Sequence, residues 1–200
     1  MPLTKDRCTP VILAGGASRR MGTCKALLEI NGETMLARIL RQLSGFERVL
    51  LSTGDPALAK GLSVECVADR YPGMGPLAGL HAAFCAVDSE ALLVLPCDLP
   101  FFTEQAAEYL LNRMPEDADA LVCVDSTGRV HPLCGIYRRS VLPVLESRLK
   151  AGELRAMSFL YSLNWKGLQD EEILPDKLFL NVNSPEIYRQ ITEQMDGKDG

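Results

Sequence analysis

The chain has 200 residues, 47% hydrophobic and 24% charged, which suffices for one substantial core and lies close to the length of one domain. A formal net charge of −5 argues against nucleic acid or an anionic membrane as partner, since both require a cationic face. Seven cysteines, odd in number and without a C-x-x-C pair, fit reduced thiols, and no run is long enough for a signal peptide or a membrane span, so a cytoplasmic protein is expected.

The first expected strand, Pro10–Ala14, is an apolar run broken by Gly15 and Gly16, after which the chain reads Ala17-Ser18-Arg19-Arg20-Met21-Gly22-Thr23-Cys24-Lys25. Adjacent glycines let backbone approach a ligand closely, and successive N–H groups can face anionic oxygens. Arg20 adds a planar fork and Lys25 a mobile point charge, so the loop suits a polyphosphate. Two commoner phosphate loops do not fit. Five residues separate Gly16 from Gly22 and Lys25 is followed by Ala26, whereas a P-loop needs four intervening residues and Lys-Ser/Thr, and the G-x-G-x-x-G dinucleotide fingerprint is absent here.

Thr34 then caps an amphipathic helix through Met35, Ile39, Leu40 and Leu43, and strands are expected at Arg48–Ser52 and Ser63–Ala68. Asp69 follows, and the loop Gly73 to Gly79, with three glycines and Pro76 and preceded by Pro72, reads as backbone wrapped around a ligand before a helix near Leu80. The strand Ala91–Pro96 runs directly into Cys97-Asp98, which places Asp98 at a carboxyl-terminal strand end, the edge where open α/β sheets bind ligands. A carboxylate beside a polyphosphate calls for a divalent cation between them, and Asp98 is the candidate hard oxygen ligand for Mg²⁺.

Thr103 caps the next helix through Ala106, Ala107, Leu110 and Leu111, and strands are expected at Ala120–Val124 and Leu133–Tyr137. His131 stands just before the latter. A last strand, Phe179–Val182, would put Asn181 and Asn183 on one face, where such poor strand residues imply a hydrogen-bonding task. Ser184-Pro185 opens a final helix, and residues 196–200 form an expected flexible tail to a single domain over 1–195. Alternating strands and helices predict a three-layer α/β fold with a mainly parallel twisted sheet. Cys66, Cys85, Cys97 and Cys123 lie in apolar segments and are expected to pack as small hydrophobes.

The first loop resembles the L-A-G-G-x-S-x-R-M-G-x-x-K signature of the molybdenum cofactor guanylyltransferases and their nucleotidyltransferase relatives, with Leu13, Gly15, Gly16, Ser18, Arg20, Met21, Gly22 and Lys25 in place. Gly75-Pro76-Leu77-Ala78-Gly79 is similar to that family's G-P-L-x-G loop, and Pro96-Cys97-Asp98-Leu99-Pro100 to its P-C-D-x-P metal motif. His131-Pro132-Leu133 and Asn181-Val182-Asn183-Ser184-Pro185 resemble acceptor-side motifs, so the likeness covers about residues 10 to 190. One departure is that two residues, Thr23-Cys24, separate Gly22 from Lys25, where some members have three, one of them acidic.

The resemblance implies a Rossmann-like nucleotidyltransferase that uses Mg²⁺ to move GMP from GTP onto the phosphate of molybdopterin or molybdenum-molybdopterin, with release of pyrophosphate. It implies nucleotide contacts from Leu13, Ala14, Gly15, Gly16, Arg20, Lys25, Asp69 and Asp98, of which Arg20, Lys25 and Asp98 are catalytic. Gly79, His131, Arg155, Asn181 and Asn183 would meet the acceptor. Molybdoenzyme chaperones or cofactor-insertion proteins are the macromolecular partners it suggests. A CTP-dependent or sugar-phosphate relative is disfavoured because cytidylyl members tend to carry L-A-A-G in place of L-A-G-G. A non-catalytic accessory protein is disfavoured because Arg20, Lys25 and Asp98 are all retained.

Overall fold

The computed structural model describes residues 2–14, 24–182 and 184–196. Gly15, Gly16, Arg20 and Asn183 therefore lie outside the described residues, as does the expected tail from Gly197 onward.

The first strand, β1, spans Cys8–Leu13 and is buried along its whole length. A two-stranded hairpin of β2, Glu29–Ile30, and β3, Glu33–Thr34, leads into helix α1, Met35–Gln42. Its turn is Asn31-Gly32, both at positive φ of 53° and 72°, the conformation that favours an Asn-Gly turn in tight hairpins. Thr34 caps α1 as expected, its Oγ1 accepting from Ala37 N–H at 3.2 Å. Strands β4, Leu50–Ser52, and β5, Glu65–Val67, then precede helix α2, Pro76–Ala86.

Strand β6, Ala91–Pro96, and helix α3, Glu104–Arg113, come next, the latter capped by Thr103 through Ala106 N–H at 3.1 Å. Strands β7, Ala120–Val124, and β8, Val130–Arg138, form a hairpin followed by helices α4, Leu142–Lys150, and α5, Ala156–Leu160. The chain closes with β9, Trp165–Leu168, and α6, Pro185–Asp196.

Among the described residues seven strands form one sheet in the order β5-β4-β1-β6-β8-β7-β9. β4, β5 and β6 join β1 in parallel pairings, β9 runs parallel to β7, and only β8 is antiparallel to its neighbours. This is the mainly parallel sheet that the alternating pattern predicts. The continuous apolar runs of β1 and β6 follow from burial on both faces. Ile12, Leu93 and Leu95 pack in one cluster with α1 and α3, whereas Val11, Leu92 and Val94 pack in another with α2, α4 and α5. A third small cluster, Ile30, Met35, Val182 and Ile191, seats α6 against the β2–β3 hairpin.

Three expectations need correction. Phe179–Val182 is not a strand: Pro175 leads into a 3-10 turn, Asp176–Phe179, whose Leu178 and Phe179 are buried, and the chain then crosses the end of β6. Val182 N–H donates to the Asp98 carbonyl at 3.3 Å, a contact across the strand ends rather than a ladder. The helix expected near Leu80 begins at Pro76, a residue whose missing N–H costs nothing at the first helical position, after Gly75 at φ 74°. Gly79 therefore lies inside α2, not in a loop. Of the cysteines in apolar segments, Cys123 is buried, Cys66 and Cys97 are partly covered, and Cys85 is exposed near the end of α2.

Candidate functional site

The strand order reverses at β1 and β6: from β1 the chain first fills the sheet outward through β4 and β5, then returns to β6 on the other side. Crevices at the carboxyl ends of such strands are where open α/β sheets bind ligands. A cavity of about 410 Å³ lies there, lined by Leu13 and Ala14 from the end of β1, Pro96, Cys97, Asp98 and Leu99 from the end of β6, Cys24, Lys25, Pro76, residues 129–134 of β8 and the turn before it, and Asn181. The strand ends are locked together by Cys97 N–H donating to the Leu13 carbonyl at 3.1 Å and Ala14 N–H to the Ser52 carbonyl at 2.9 Å.

Lys25 and Asp98 face each other across this floor. Lys25 sits on the 3-10 turn Lys25–Leu27, anchored by the fully buried Ala26, and its Nζ donates to Asp98 Oδ2 at 2.8 Å. Their side chains are 19% and 14% exposed. A half-shielded ammonium–carboxylate pair at a cavity wall is poised for exchange, because an incoming anion competes for the cation and an incoming cation for the carboxylate. Cys97 beside it is a protonated thiol at neutral pH, since burial pushes its pKa up to about 12.

A further part of the lining comes from the β7–β8 hairpin, whose β8 pairs with β6. Asp125 Oδ1 accepts from Thr127 N–H, Thr127 Oγ1 and Arg129 N–H at 2.6–3.0 Å, which holds its carboxyl well below the usual carboxylate range. Its Oδ2 lies 3.0 Å from His131 Nε2, and the His131 ring stacks on Phe179 with centroids 4.4 Å apart. His131 is thus a fixed plate in the cavity wall, one ring nitrogen and one face already engaged.

Asn181 lies nearby. Its Oδ1 is buried, with no hydrogen-bond partner among the described residues. A buried amide oxygen without a partner costs about 1–3 kcal/mol, so this acceptor is set to receive a donor from a ligand or an ordered water. The strand that was to present Asn181 does not exist; the residue borders the cavity from the segment after the 3-10 turn.

Of the candidate residues, Leu13, Ala14, Lys25, Asp98, His131 and Asn181 are brought together around the cavity. Asp69 is not in its lining. It stands one strand outward, where Ser52 Oγ donates to its Oδ1 at 3.2 Å and burial raises its carboxyl pKa. Gly79, expected at the acceptor, is absent from the lining and lies in α2 against the strand ends: a Cβ there would come within 2.3 Å of Ser52 Oγ and 3.1 Å of Leu13 Cδ2, so a larger residue would require Ser52 to shift. Arg155 precedes α5 as an exposed residue and is likewise absent from the cavity lining. Sequence reasoning missed Asp125, Arg129 and Phe179. The Asp-x-x-Gly turn at Asp125–Gly128 was a readable signal for a tight hairpin that would carry Arg129 and His131 to one edge. Among the described residues no group of three His, Cys, Asp or Glu side chains could hold a metal ion by itself.

Residues 10–165 match a family described as the MobA-like NTP transferase domain. A probable molybdenum cofactor guanylyltransferase of Pelotomaculum thermopropionicum is 36% identical over 185 residues, 90% of this chain and 89% of that protein. The Bacillus subtilis protein of the same description is 33% identical over 189 residues, 92% of this chain and 94% of its own length. Among solved structures, molybdopterin-guanine dinucleotide biosynthesis protein A of Archaeoglobus fulgidus superposes with a TM-score of 0.81 at 25% identity, over 94% of this chain and 99% of that one.

Proposed function

From the premise that this chain belongs to the MobA-like NTP transferase domain family, we propose that it transfers GMP from GTP to the phosphate of molybdopterin, free or carrying molybdenum, and releases pyrophosphate. The observation that carries this reading is the Lys25–Asp98 pair at the reversal of strand order, one cation and one hard oxygen donor facing a cavity of nucleotide-accommodating size. The descriptions of the relatives from P. thermopropionicum and B. subtilis support the guanylyl and molybdopterin parts.

In this mechanism a phosphate oxygen of the acceptor attacks the α-phosphorus of GTP, the bond to the bridging oxygen breaks, and pyrophosphate leaves with that electron pair. Lys25 exchanges its carboxylate partner for triphosphate oxygens and so follows the charge that moves onto the leaving group. No general base is needed, since a phosphate monoester has a second pKa of about 6 and arrives largely as the dianion. Mg²⁺ fits Asp98 because it is commonly held by one or two carboxylates together with substrate phosphates, and when bound it supplies neutralisation of phosphate charge. The likeness of its loop to the family signature assigns Arg20 to the same triphosphate.

Pyrophosphate release from GTP, CTP, ATP and UTP, each with molybdopterin present, tests the base assignment. GTP is expected to be used fastest, and Gly16→Ala, which adds a methyl where guanine would lie against the loop backbone, is expected to reduce GTP use most. Faster turnover of CTP by the wild type would overturn the assignment. Asn181 is assigned to the acceptor, so Asn181→Ala should leave GTP affinity by calorimetry at the wild-type value while KM for molybdopterin rises several-fold, about the loss of one hydrogen bond. Loss of GTP binding in a variant with a wild-type circular dichroism spectrum would move Asn181 to the nucleotide site.

A further inference from the structure

A dianionic acceptor entering beside the Asp98 carboxylate needs a cation on its own side of the cavity. Among the described residues the lysines and arginines lining that cavity are Lys25 and Arg129. Lys25 is held at the strand ends by Asp98, at 2.8 Å. Arg129 stands in the turn of the β7–β8 hairpin, in the same cavity lining, exposed, and its guanidinium has no hydrogen-bond or ion-pair partner among the described residues. Its backbone, by contrast, is braced at both ends. Its N–H donates to Asp125 Oδ1 at 3.0 Å, and its carbonyl accepts from Asp125 N–H at 3.1 Å. The base of the side chain is therefore fixed while the charged fork stays available. His131, two residues on, already has its Nε2 engaged by Asp125 and one ring face by Phe179.

The reaction geometry adds a second constraint. Attacking and leaving oxygens lie roughly in line at phosphorus, so the acceptor phosphate must approach from the side away from the departing pyrophosphate. With Lys25 on the triphosphate, Arg129 of the hairpin is the other cation in the described cavity lining. We infer that Arg129 is the acceptor's phosphate-binding residue, its planar fork taking two oxygens of a phosphate monoester and presenting the third toward the nucleotide. This inference rests on the nucleotidyl-transfer reading above. It replaces Arg155, which does not reach the cavity lining, in the role of acceptor cation.

The experiment has two readouts on wild type, Arg129→Ala and Arg129→Lys. In steady-state kinetics Arg129→Ala should raise KM for molybdopterin about tenfold or more, lower kcat by less, and leave the Kd for GTP unchanged, while Arg129→Lys recovers part of the loss. In fluorescence titrations without nucleotide, molybdopterin should bind Arg129→Ala correspondingly more weakly, and dephosphorylated molybdopterin should bind both proteins equally. An unchanged molybdopterin affinity in Arg129→Ala, or an equal loss for the dephosphorylated pterin, overturns the inference. If wild type transfers no nucleotide to molybdopterin, the functional reading fails, and the titration still decides whether Arg129 holds the phosphate.

Discussion

Asp98→Asn is expected to fold and to bind GTP, yet to lose on the order of 10²-fold or more in kcat, the usual effect of removing one preorganised electrostatic element from an active site. The substitution preserves shape at the end of β6, and the backbone contacts that fix this edge, Cys97 N–H to the Leu13 carbonyl and Val182 N–H to the Asp98 carbonyl, do not involve the carboxylate. What it removes is the negative partner of Lys25. Breaking a fully buried ion pair costs about 3–5 kcal/mol, but Lys25 at 19% exposure keeps access to water, so the stability loss should be smaller and the fold retained.

Two outcomes separate the roles Asp98 could have. As a ligand of Mg²⁺ it should show partial rescue by raised Mg²⁺ or Mn²⁺, because weakened affinity is offset by mass action. As nothing more than the counterion of Lys25, the variant should keep wild-type turnover, and the metal assignment would fall. A wild-type protein that releases no pyrophosphate from any nucleotide, with any metal, would leave a binding protein built on the same fold.

How far the sequence could be read depended on where the information lay. β1 and β6 are buried on both faces, so Pro10–Ala14 and Ala91–Pro96 stand out as uninterrupted apolar runs, and that alone puts Ala14 and Asp98, at and just beyond their ends, at the ligand edge. The caps at Thr34 and Thr103 were equally legible, because a cap is a contact over three residues. β9 was not. Its Trp-Lys-Gly-Leu is half exposed and, among the described residues, pairs only with β7, so neither apolarity nor period marks it, and its strand character comes from a neighbour some forty residues earlier in the chain. Phe179–Val182 failed in the opposite sense: Phe179 and Val182 are buried, but against His131 and in the α6 cluster, which local hydrophobicity cannot distinguish from sheet burial.

The site shows the same division. Lys25 and Asp98 announced themselves by charge next to glycine and strand end, whereas the partner that fixes His131 and the role of Gly79 depend on distances between segments remote in sequence. Gly79 illustrates the limit well, since a glycine in a G-P-L-x-G loop reads as room for a ligand and gives no sign of the Ser52 side chain packed against it.

A second glycine, unmarked by any sequence motif, is expected to matter more to stability than Gly79. Gly135→Ala should cost roughly 3 kcal/mol or more, at or above the upper part of the usual range for overpacking. Gly135 lies in β8 between Val94 of β6 and Val122 of β7, in the interior of the sheet. A Cβ there would sit 2.3 Å from the Leu121 carbonyl oxygen and 2.7 Å from Val122 Cα. Both are backbone atoms, so no rotamer change relieves the clash and the β7–β8 pair must separate. The register shift between Val122 and Cys123 follows immediately, so the strain would pass along β8 to Cys134 and His131 in the cavity wall. Against a total stability of about 5–15 kcal/mol this is a large fraction, and at about 2–4 °C per kcal/mol the midpoint of thermal unfolding should fall by roughly 10 °C. Gly54→Ala is the matched control, since no atom lies within 4 Å of its added methyl, and it should unfold within about 0.5 kcal/mol of wild type in urea. A Gly135→Ala protein with the same urea midpoint as Gly54→Ala would show that β7 and β8 part without cost, and with that the rigid hairpin on which the placement of Arg129 and His131 depends would be lost.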